Sequence, residues 1–453
     1  MSTPTAAANI GPSGALSAAR TTFAALAAVA TGWAIWLRDG AFDPVALALV
    51  AVALLSLAAA ALVLLSMAAQ FVRPPGIDLH PVPGGPWPFW GGLLVAIALA
   101  VAGMFPSPPL GRLRWPLLLA THAALVLWLL RASPSPAIDV FLFHRAGFAA
   151  LLDGHSPYAT TIPLLYGDAR FYGEGLVRDG IVHVGHPYPP LSLALTFLAH
   201  FLCGDYRIAL VAALTVSAAC IAKLGRGRIG ELCALLLLFS PRTFFVLEQG
   251  WTEPLMVAFV CALALAAPRA PRLSTWLLAG LIAVKQYGCF ILPLLPLLFS
   301  EERRAQLAGR ALRACALALL ISLPLALFAP SDFVDSVLLF QLRQPFRFDA
   351  LSFAALLARA GGPQLPGFTS FLVLAPALAL GWRFSPRNVG GALAALAFAF
   401  AGFFDIGKQA FANYHFLVLA LACAAAAALT PTPANERDAQ SGDLALTDPQ
   451  PAD

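Results

Sequence analysis

Charged residues are scarce in this chain, and their scarcity excludes an ordinary soluble protein. Only 11% of the 453 residues are Asp, Glu, Lys or Arg, whereas 60% are hydrophobic. A soluble domain would carry about a quarter charged residues. Because the apolar runs are continuous and approach or exceed the ~20 residues of a membrane-spanning helix, we predict an all-α, polytopic helical membrane protein.

Signals for several other classes of protein are also missing. The seven cysteines lie almost entirely within or beside apolar runs, without the spacing of a metal site or a disulfide framework. Residues 1–19 lack the basic region that begins a signal peptide. Many of the basic residues behind the net charge of +5 lie in short loops, which is typical of membrane topology. We therefore expect no nucleic-acid partner, no metal and no other cofactor.

The apolar runs predict about 13 membrane spans. They lie near residues 17–37, 44–69, 88–105, 115–131, 187–203, 207–222, 230–247, 252–267, 275–299, 309–329, 367–382, 389–404 and 412–429. Residues 1–114 would hold a tail and the first spans, 115–430 the remaining spans with the long loop 132–186, and 431–453 a disordered polar tail. The four arginines in the loop 301–313 favour a cytoplasmic position, which places the loop 132–186 outside.

That loop of about 55 residues is far longer than the usual connection. Asp139 is well placed in it as a helix N-cap, and an apolar face follows at helical spacing, formed by Phe141, Phe148, Leu151 and Leu152. Gly154 is expected to stop the helix. We predict an interfacial helix that lies along the membrane with its apolar face toward the lipid.

Two motifs in and after this loop carry a resemblance to a known family. Asp139 is followed by Ala-Leu-Leu-x-Gly-x-x-Pro-Tyr, ending at Tyr158, and then by Tyr-Pro-Pro-Leu from Tyr188. Over roughly residues 115–430 the chain resembles GT-C-type glycosyltransferases, and more narrowly the bacterial polyprenol-phosphate-mannose-dependent mannosyltransferases. The resemblance implies a GT-C-like fold in a bacterial plasma membrane, with the active site on the extracytoplasmic face.

The resemblance also implies a reaction. A sugar, mannose in the first instance, would pass from a polyprenyl-phosphate donor to a lipid or glycan acceptor with inversion, and Asp139 would be the general base. Positive groups would hold the departing phosphate. The candidate substrate-binding residues are Tyr158, His186, Tyr188, Lys285, Arg343, Arg347, Lys408, Tyr414 and His415. Glu248 and Glu253 are possible second acids, although counting spans places their turn on the face opposite Asp139.

Each of these residues also has a structural alternative. Asp139 is equally suited to a helix cap without a chemical role, and Lys285 to a paired or snorkelling lysine. The other cations and the tyrosines are typical of interfacial anchors, and Glu248 and Glu253 of helix caps. At the level of function, the alternatives are a transporter or flippase of a lipid-linked saccharide, or a scaffold for envelope assembly.

Overall fold

The computed structural model describes residues 44–104, 110–173, 175–225 and 228–430, with side chains from residue 57 onward. The expected span 17–37 and both tails, 1–19 and 431–453, lie outside the described residues. The chain divides into two compact units, one ending at Ala58 and the other beginning at Ala59. The domain boundary that we expect at residues 114 and 115 stays a prediction.

The described chain is mostly helical, as its composition predicts. The longer α-helices are Pro44–Val72, Trp87–Ala102, Arg114–Ala132, Asp139–Leu152, Pro190–Cys203, Arg207–Leu224, Arg228–Leu238, Pro241–Gln249, Glu253–Ala266, Pro271–Val284, Arg304–Ala326, Thr369–Phe384, Val389–Asp405 and Ala412–Leu429. Shorter α-helices are Leu295–Leu298, Pro330–Phe333, Phe340–Arg343 and Phe353–Arg359, and Val334–Leu339 is a π-helix. The 3₁₀ helices are Gly111–Leu113, Pro157–Ala159, Ala169–Phe171 and Gln286–Leu294.

Four helices in the described part are long and apolar enough to cross a membrane. They are Gly111–Ala132, Arg207–Leu224, Arg304–Ala326 and Ala412–Leu429. A bent pair of helices, Arg228–Leu238 and Pro241–Gln249, adds a fifth if the two are counted as one span. The chain therefore has several helices suited to an integral membrane protein, whereas the full set of 13 spans remains an expectation.

Most of the other expected spans correspond to helices that are short. Glu253–Ala266 and Pro271–Val284 have 14 residues each. Such a helix is about 21 Å long, compared with about 30 Å of hydrocarbon. The run expected to span 230–247 bends by 51° at Ser240 and Pro241, where the Ser240 hydroxyl caps the second helix. Counting each apolar run as one crossing is therefore unsafe here.

The helix Arg304–Ala326 shows what the outer surface of the bundle looks like. Leu312, Leu319 and Leu320 are between 62% and 72% exposed and lie on one side of the helix. A soluble protein rarely leaves such a continuous apolar stripe uncovered. The stripe is the surface expected of a helix that contacts lipid.

The core of the larger unit lies between helices drawn from distant parts of the sequence. Val389–Asp405 packs along both Thr369–Phe384 and Ala412–Leu429, and Glu253–Ala266 packs along Arg207–Leu224. Alanine and glycine permit these close approaches. At Gly381, for example, an added Cβ would lie 2.7 Å from the Cβ of Ala395.

The helix predicted after residue 138 is present as Asp139–Leu152, followed by Gly154 with φ of +72°. Its apolar face, however, packs on protein. The ring of Phe141 lies 5.8 Å from that of Tyr206, and Phe148 stacks 4.8 Å from His200. The expectation that this face lies against the membrane is wrong for Phe141 and Phe148, which are buried in the core, whereas Leu152 at the end of the helix is 61% exposed.

The remainder of the loop contains a small antiparallel sheet that the sequence analysis did not predict. Its strands are β1 (Ile162–Pro163), β2 (Val177–Arg178) and β3 (Ile181–Val182), in the order β1-β3-β2. Asp179 and Gly180 both have positive φ and join β2 to β3 in a two-residue turn. The sheet is tied to the second half of the chain, since the backbone N–H of Gly185 donates to the Ser336 hydroxyl over 3.0 Å.

Arg207 connects three segments of the helical bundle. Its side chain is fully buried and pairs with Asp205 at 2.7 Å. The same guanidinium donates to the carbonyls of Ser133 (2.8 Å) and Glu248 (2.9 Å). The end of helix Arg114–Ala132, the start of helix Arg207–Leu224 and the end of helix Pro241–Gln249 are therefore held at one point.

We predict that Arg207→Ala lowers the free energy of unfolding by about 3 kcal/mol, because Asp205 and two buried carbonyls lose their partner. The measurement is unfolding of the purified protein in detergent micelles, followed by helical circular dichroism.

Arg170→Ala is the matched control. Arg170 pairs with Asp168 at the same two-residue spacing, but its side chain is 90% exposed. We expect no measurable change for this variant. Equal losses in the two variants would show that the buried connections of Arg207 contribute nothing.

Candidate functional site

Asp139 is the first residue of its helix. Ile138 occupies the N-cap position with an extended backbone (φ −137°, ψ 144°), so the expectation that Asp139 is the cap is wrong. The Asp139 Oδ1 accepts from the backbone N–H of Val140 over 2.8 Å. The carboxyl group lies in the wall of a large cavity, where a ligand can reach it.

Two tyrosines and one arginine surround this carboxyl group. The backbone N–H of Asp139 donates to the Tyr166 hydroxyl over 3.3 Å, and Tyr172 lines the same cavity as Asp139. Burial raises the pKa of Asp139, and the Val140 N–H, the Tyr166 hydroxyl and the Arg347 charge oppose the rise. A carboxyl group whose pKa is raised in this way is a stronger base when it is ionised.

The cavity has a volume of about 940 Å³. Its polar lining includes two carboxylates, three cations, five phenols and several amides. The carboxylates, cations and phenols are Asp139, Asp349, Lys285, Arg347, Lys408, Tyr166, Tyr172, Tyr188, Tyr287 and Tyr414, and Asn413 is among the amides. Of the predicted site residues, the structure thus brings together Asp139, Tyr188, Lys285, Arg347, Lys408 and Tyr414.

Phenylalanines continue the cavity wall away from these polar groups. The ring of Phe404 lies 4.5 Å from Tyr414 and 5.4 Å from Phe403, whose ring is 5.2 Å from Phe371. Phe371 and Phe368 line the cavity, yet they are 49% and 61% exposed. The apolar wall therefore reaches the outer surface of the helical bundle.

Lys285 enters the cavity at a break in the apolar run expected to span 275–299. Its backbone is extended (φ −153°, ψ 139°) between helix Pro271–Val284 and the 3₁₀ helix Gln286–Leu294. The ammonium donates to the Thr252 hydroxyl over 2.8 Å and pairs with Glu253 at 3.0 Å. It also lies 4.2 Å from the centre of the Tyr188 ring. Lys285 is therefore a paired lysine, as the structural alternative predicts, and it also lies in the cavity wall.

Arg347 and Lys408 come from two loops that share backbone hydrogen bonds. The N–H of Arg347 donates to the carbonyl of Lys408 over 3.0 Å. The Arg347 guanidinium is oriented by Asp349 at 2.7 Å and lies 4.2 Å over the ring of Phe171. Lys408 donates to the carbonyls of Leu342 and Gln344. Both cations thus sit on one structural unit that faces the Asp139 loop.

The two acids Glu248 and Glu253 differ in role. Glu248 is buried and accepts from the backbone N–H groups of Ile77 and Asp78, each at 3.0 Å, so it anchors a loop. Glu253 pairs with Lys285 and accepts from the Tyr287 hydroxyl over 2.7 Å. Neither carboxylate is part of the cavity lining.

The turn between these acids does not lie on the face opposite Asp139, so that expectation is wrong. Phe245, Gln249 and Trp251 line the same cavity as Asp139. The error comes from treating 230–247 as a single straight crossing. The chain bends within that run, and its second helix, Pro241–Gln249, has only nine residues.

Four predicted substrate-binding residues do not line the cavity. Tyr158 is buried, with its hydroxyl 3.4 Å from the Tyr188 carbonyl. Arg343 pairs with Asp335 at 3.5 Å and borders a smaller cavity behind Phe340. His415 donates from Nε2 to the Leu351 carbonyl over 2.8 Å. His186 is fully buried beside His144, and both burial and that neighbour hold the pKa of His186 well below its usual range, so the ring carries no charge for a phosphate.

Several lining residues were not predicted as site residues. Tyr166, Tyr172 and Tyr287 line the cavity, but neither sequence motif includes them. A usable signal for Tyr287 is its spacing of two from Lys285, because residues near a break in a helix can face the same cavity. Nothing local in the sequence distinguishes Phe403 or Phe404 from the other phenylalanines of an apolar helix.

Comparisons of this chain with protein-family models, curated proteins and solved structures find no match. The cavity and the two sequence motifs are therefore the features of this chain that indicate a function. Within the described ranges, no three His, Cys, Asp or Glu side chains are grouped so that they could hold a metal ion. The expectation that the chain uses no metal stays a prediction.

We predict that Lys285→Met destabilises the protein by about 3 kcal/mol, because Glu253 keeps its buried charge and loses its cation. In the double variant Glu253→Gln/Lys285→Met no buried charge remains, and most of the loss should be recovered. Unfolding in detergent of both single variants and the double variant measures the coupling. Losses that simply add would contradict a direct interaction between the two side chains.

Proposed function

We propose that this chain is an inverting membrane glycosyltransferase that transfers a sugar from a polyprenyl-phosphate donor to a hydroxyl group of a lipid or glycan acceptor. The sequence resemblance favours mannose as the sugar. One observation carries the proposal: a single cavity combines an accessible carboxylate, three cations and an apolar wall that reaches the bundle surface. A lipid-linked sugar phosphate needs all three features.

Each part of the donor corresponds to one part of the cavity. The phenylalanine wall, open at Phe368 and Phe371, suits an isoprenoid chain that remains partly in the bilayer. Positive charge for the phosphate comes from Lys285, Arg347 and Lys408. A guanidinium can bind two phosphate oxygens at once, in a bidentate pair. The tyrosines beside them, Tyr188 and Tyr414, supply faces on which a sugar ring can pack.

The chemistry follows from the position of Asp139. Its carboxylate takes the proton of the acceptor hydroxyl while that oxygen attacks the anomeric carbon. The bond from the anomeric carbon to the phosphate oxygen breaks, and the polyprenyl phosphate leaves with the electron pair and a negative charge. The cations stabilise that charge. A single base suffices because inversion proceeds without a covalent intermediate.

The finer topology belongs to the same proposal. A GT-C-like arrangement of about 13 spans would place the loop 132–186 and the cavity on the extracytoplasmic face. The division of the chain between residues 114 and 115 would separate additional spans from the catalytic part. The protein and the polyprenyl chain of the donor would then both lie in the lipid bilayer.

We predict that Asp139→Asn lowers the rate of sugar transfer by about 10²- to 10⁴-fold, the usual contribution of a general base. Purified protein in lipid vesicles would be given a radiolabelled polyprenyl-phosphate mannose and membrane-lipid acceptors, and the labelled product counted. Asp153→Asn is the matched control, because Asp153 is exposed just beyond the other end of the same helix. It should retain full activity.

Two outcomes would overturn parts of the proposal. If the wild type transfers no sugar from this donor or from other polyprenyl-phosphate sugars, the proposed reaction is wrong. If Asp139→Asn transfers as well as the wild type, the assignment of the base is wrong. Movement of the lipid-linked sugar across the vesicle membrane that persists in Asp139→Asn would support the flippase instead.

We predict that Arg347→Gln lowers kcat/KM for the donor by about 10- to 100-fold, whereas Arg343→Gln changes it less than twofold. The two arginines are four residues apart, but only Arg347 lines the large cavity. Initial rates at varied donor concentration measure the difference. If Arg343→Gln lowers kcat/KM more than Arg347→Gln does, the phosphate does not bind in the large cavity as proposed.

A further inference from the structure

The site contains two phenols for which the reaction as described has no use. Tyr166 follows strand β1, and Tyr172 follows the 3₁₀ helix Ala169–Phe171. The two rings are nearly parallel, at 18°, with centres 6.2 Å apart. Both line the cavity beside Asp139. The family motifs of the sequence include neither residue.

We propose that the hydroxyls of Tyr166 and Tyr172 are positioning groups, which hold the Asp139 carboxylate in the orientation that accepts a proton from the acceptor hydroxyl. This inference rests on the proposed function for the identity of the reaction. It adds two residues to the site and assigns the small sheet of the loop a purpose.

The geometry of the hydroxyls is the first support. The Tyr166 hydroxyl accepts from the backbone N–H of Asp139 over 3.3 Å, which places it at the start of the helix, in the same cavity wall as the carboxylate. The Tyr172 hydroxyl is buried and has no direct hydrogen-bond partner within the described residues. The carboxyl group of Asp139 is its polar neighbour. A buried hydroxyl without a partner is costly, so its position beside a carboxylate that exchanges protons is informative.

Hydrogen-bond capacity is the second support. A carboxylate offers about four acceptor positions. The Val140 N–H occupies one, and two phenols would occupy two more, which leaves one direction for the acceptor hydroxyl. Burial together with the Asp139 charge raises the pKa of both phenols, so they stay protonated and act as donors.

The support of the loop is the third argument. Phe171 packs edge-on against Tyr166 at 5.5 Å, and the Arg347 guanidinium covers Phe171 from the second half of the chain. The Tyr166 ring thus has Phe171 at one edge and Tyr172 parallel to it, and packing of this kind is what a positioning group requires. The other charged or titratable groups facing Asp139 are Arg347 and, from the segment after the loop, Tyr188.

The first test uses Tyr166→Phe, Tyr172→Phe and the double variant, which keep the rings and remove the hydroxyls. We expect kcat to fall about tenfold in each single variant, with little change in donor KM. The hydroxyls favour the ionised carboxylate, so their loss raises the pKa of Asp139. The acidic limb of the pH–rate profile should therefore move to higher pH.

Tyr206→Phe is the control for loss of a buried phenol. Tyr206 packs on Phe141, which lies in the same helix as Asp139. The Tyr206 hydroxyl, however, donates to the Gly250 carbonyl over 3.1 Å, away from Asp139. Its pH profile should match that of the wild type. If the two test variants lose activity with an unmoved acidic limb, their role is structural and the proposal is overturned.

A second measurement needs no transfer activity. A water-soluble carbodiimide with an amine labels protonated carboxyl groups, and mass spectrometry of the peptide containing residue 139 gives the extent of labelling at each pH. The labelling midpoint should be higher in both Phe variants than in the wild type and in Tyr206→Phe. An unchanged midpoint overturns the proposal. If the wild type transfers no sugar, the proposed function fails, and labelling still decides whether the phenols hold the carboxylate.

Discussion

The buried guanidinium of Arg207 is the constraint on which the position of the site depends. It binds the Ser133 carbonyl, just after helix Arg114–Ala132, and the Glu248 carbonyl. The Glu248 carboxylate in turn holds the backbone of Ile77 and Asp78, and the Asp78 carboxylate accepts from the N–H of Ala137 over 3.2 Å. Because a cation buried in an apolar bundle must satisfy its donors, this chain of contacts fixes the segment that leads into Asp139.

The break at Lys285 is the second polar constraint. A continuous helix would carry the ammonium into the packed core, whereas the extended residue between Pro271–Val284 and Gln286–Leu294 lets it face the cavity while it pairs with Glu253. The pair lowers the cost of burying either charge. Non-helical backbone within a membrane protein is tolerated where it borders a cavity, and the break at Lys285 lies at such a place.

Composition and periodicity predicted the helical class, the helix Asp139–Leu152 and the presence of Asp139 at its start. They did not predict the bend at Ser240 or the break at Lys285, because apolar runs look alike whether straight or broken. The Asp179-Gly180 turn was a readable hairpin signal that was missed. The failures at His186 and His415 have another cause: each ring faces a backbone carbonyl more than forty residues away in the chain, Phe143 for His186 and Leu351 for His415.

The two kinds of charge in the site are supported in different ways. Arg347 and Lys408 lie on loops joined by backbone hydrogen bonds, from Arg347 to Lys408 and from Leu351 to Ala410. Main-chain hydrogen bonds therefore set the relative position of these two cationic loops. Asp139 lies on a different segment, and side chains of the sheet-bearing loop surround its carboxylate. Because Arg347 also covers Phe171 of that loop, a shift of the cationic loops would reach Asp139 through packed aromatic rings. The proposed base and the proposed phosphate-binding cations derive from sequence segments about 200 residues apart, and these contacts keep them in one geometry.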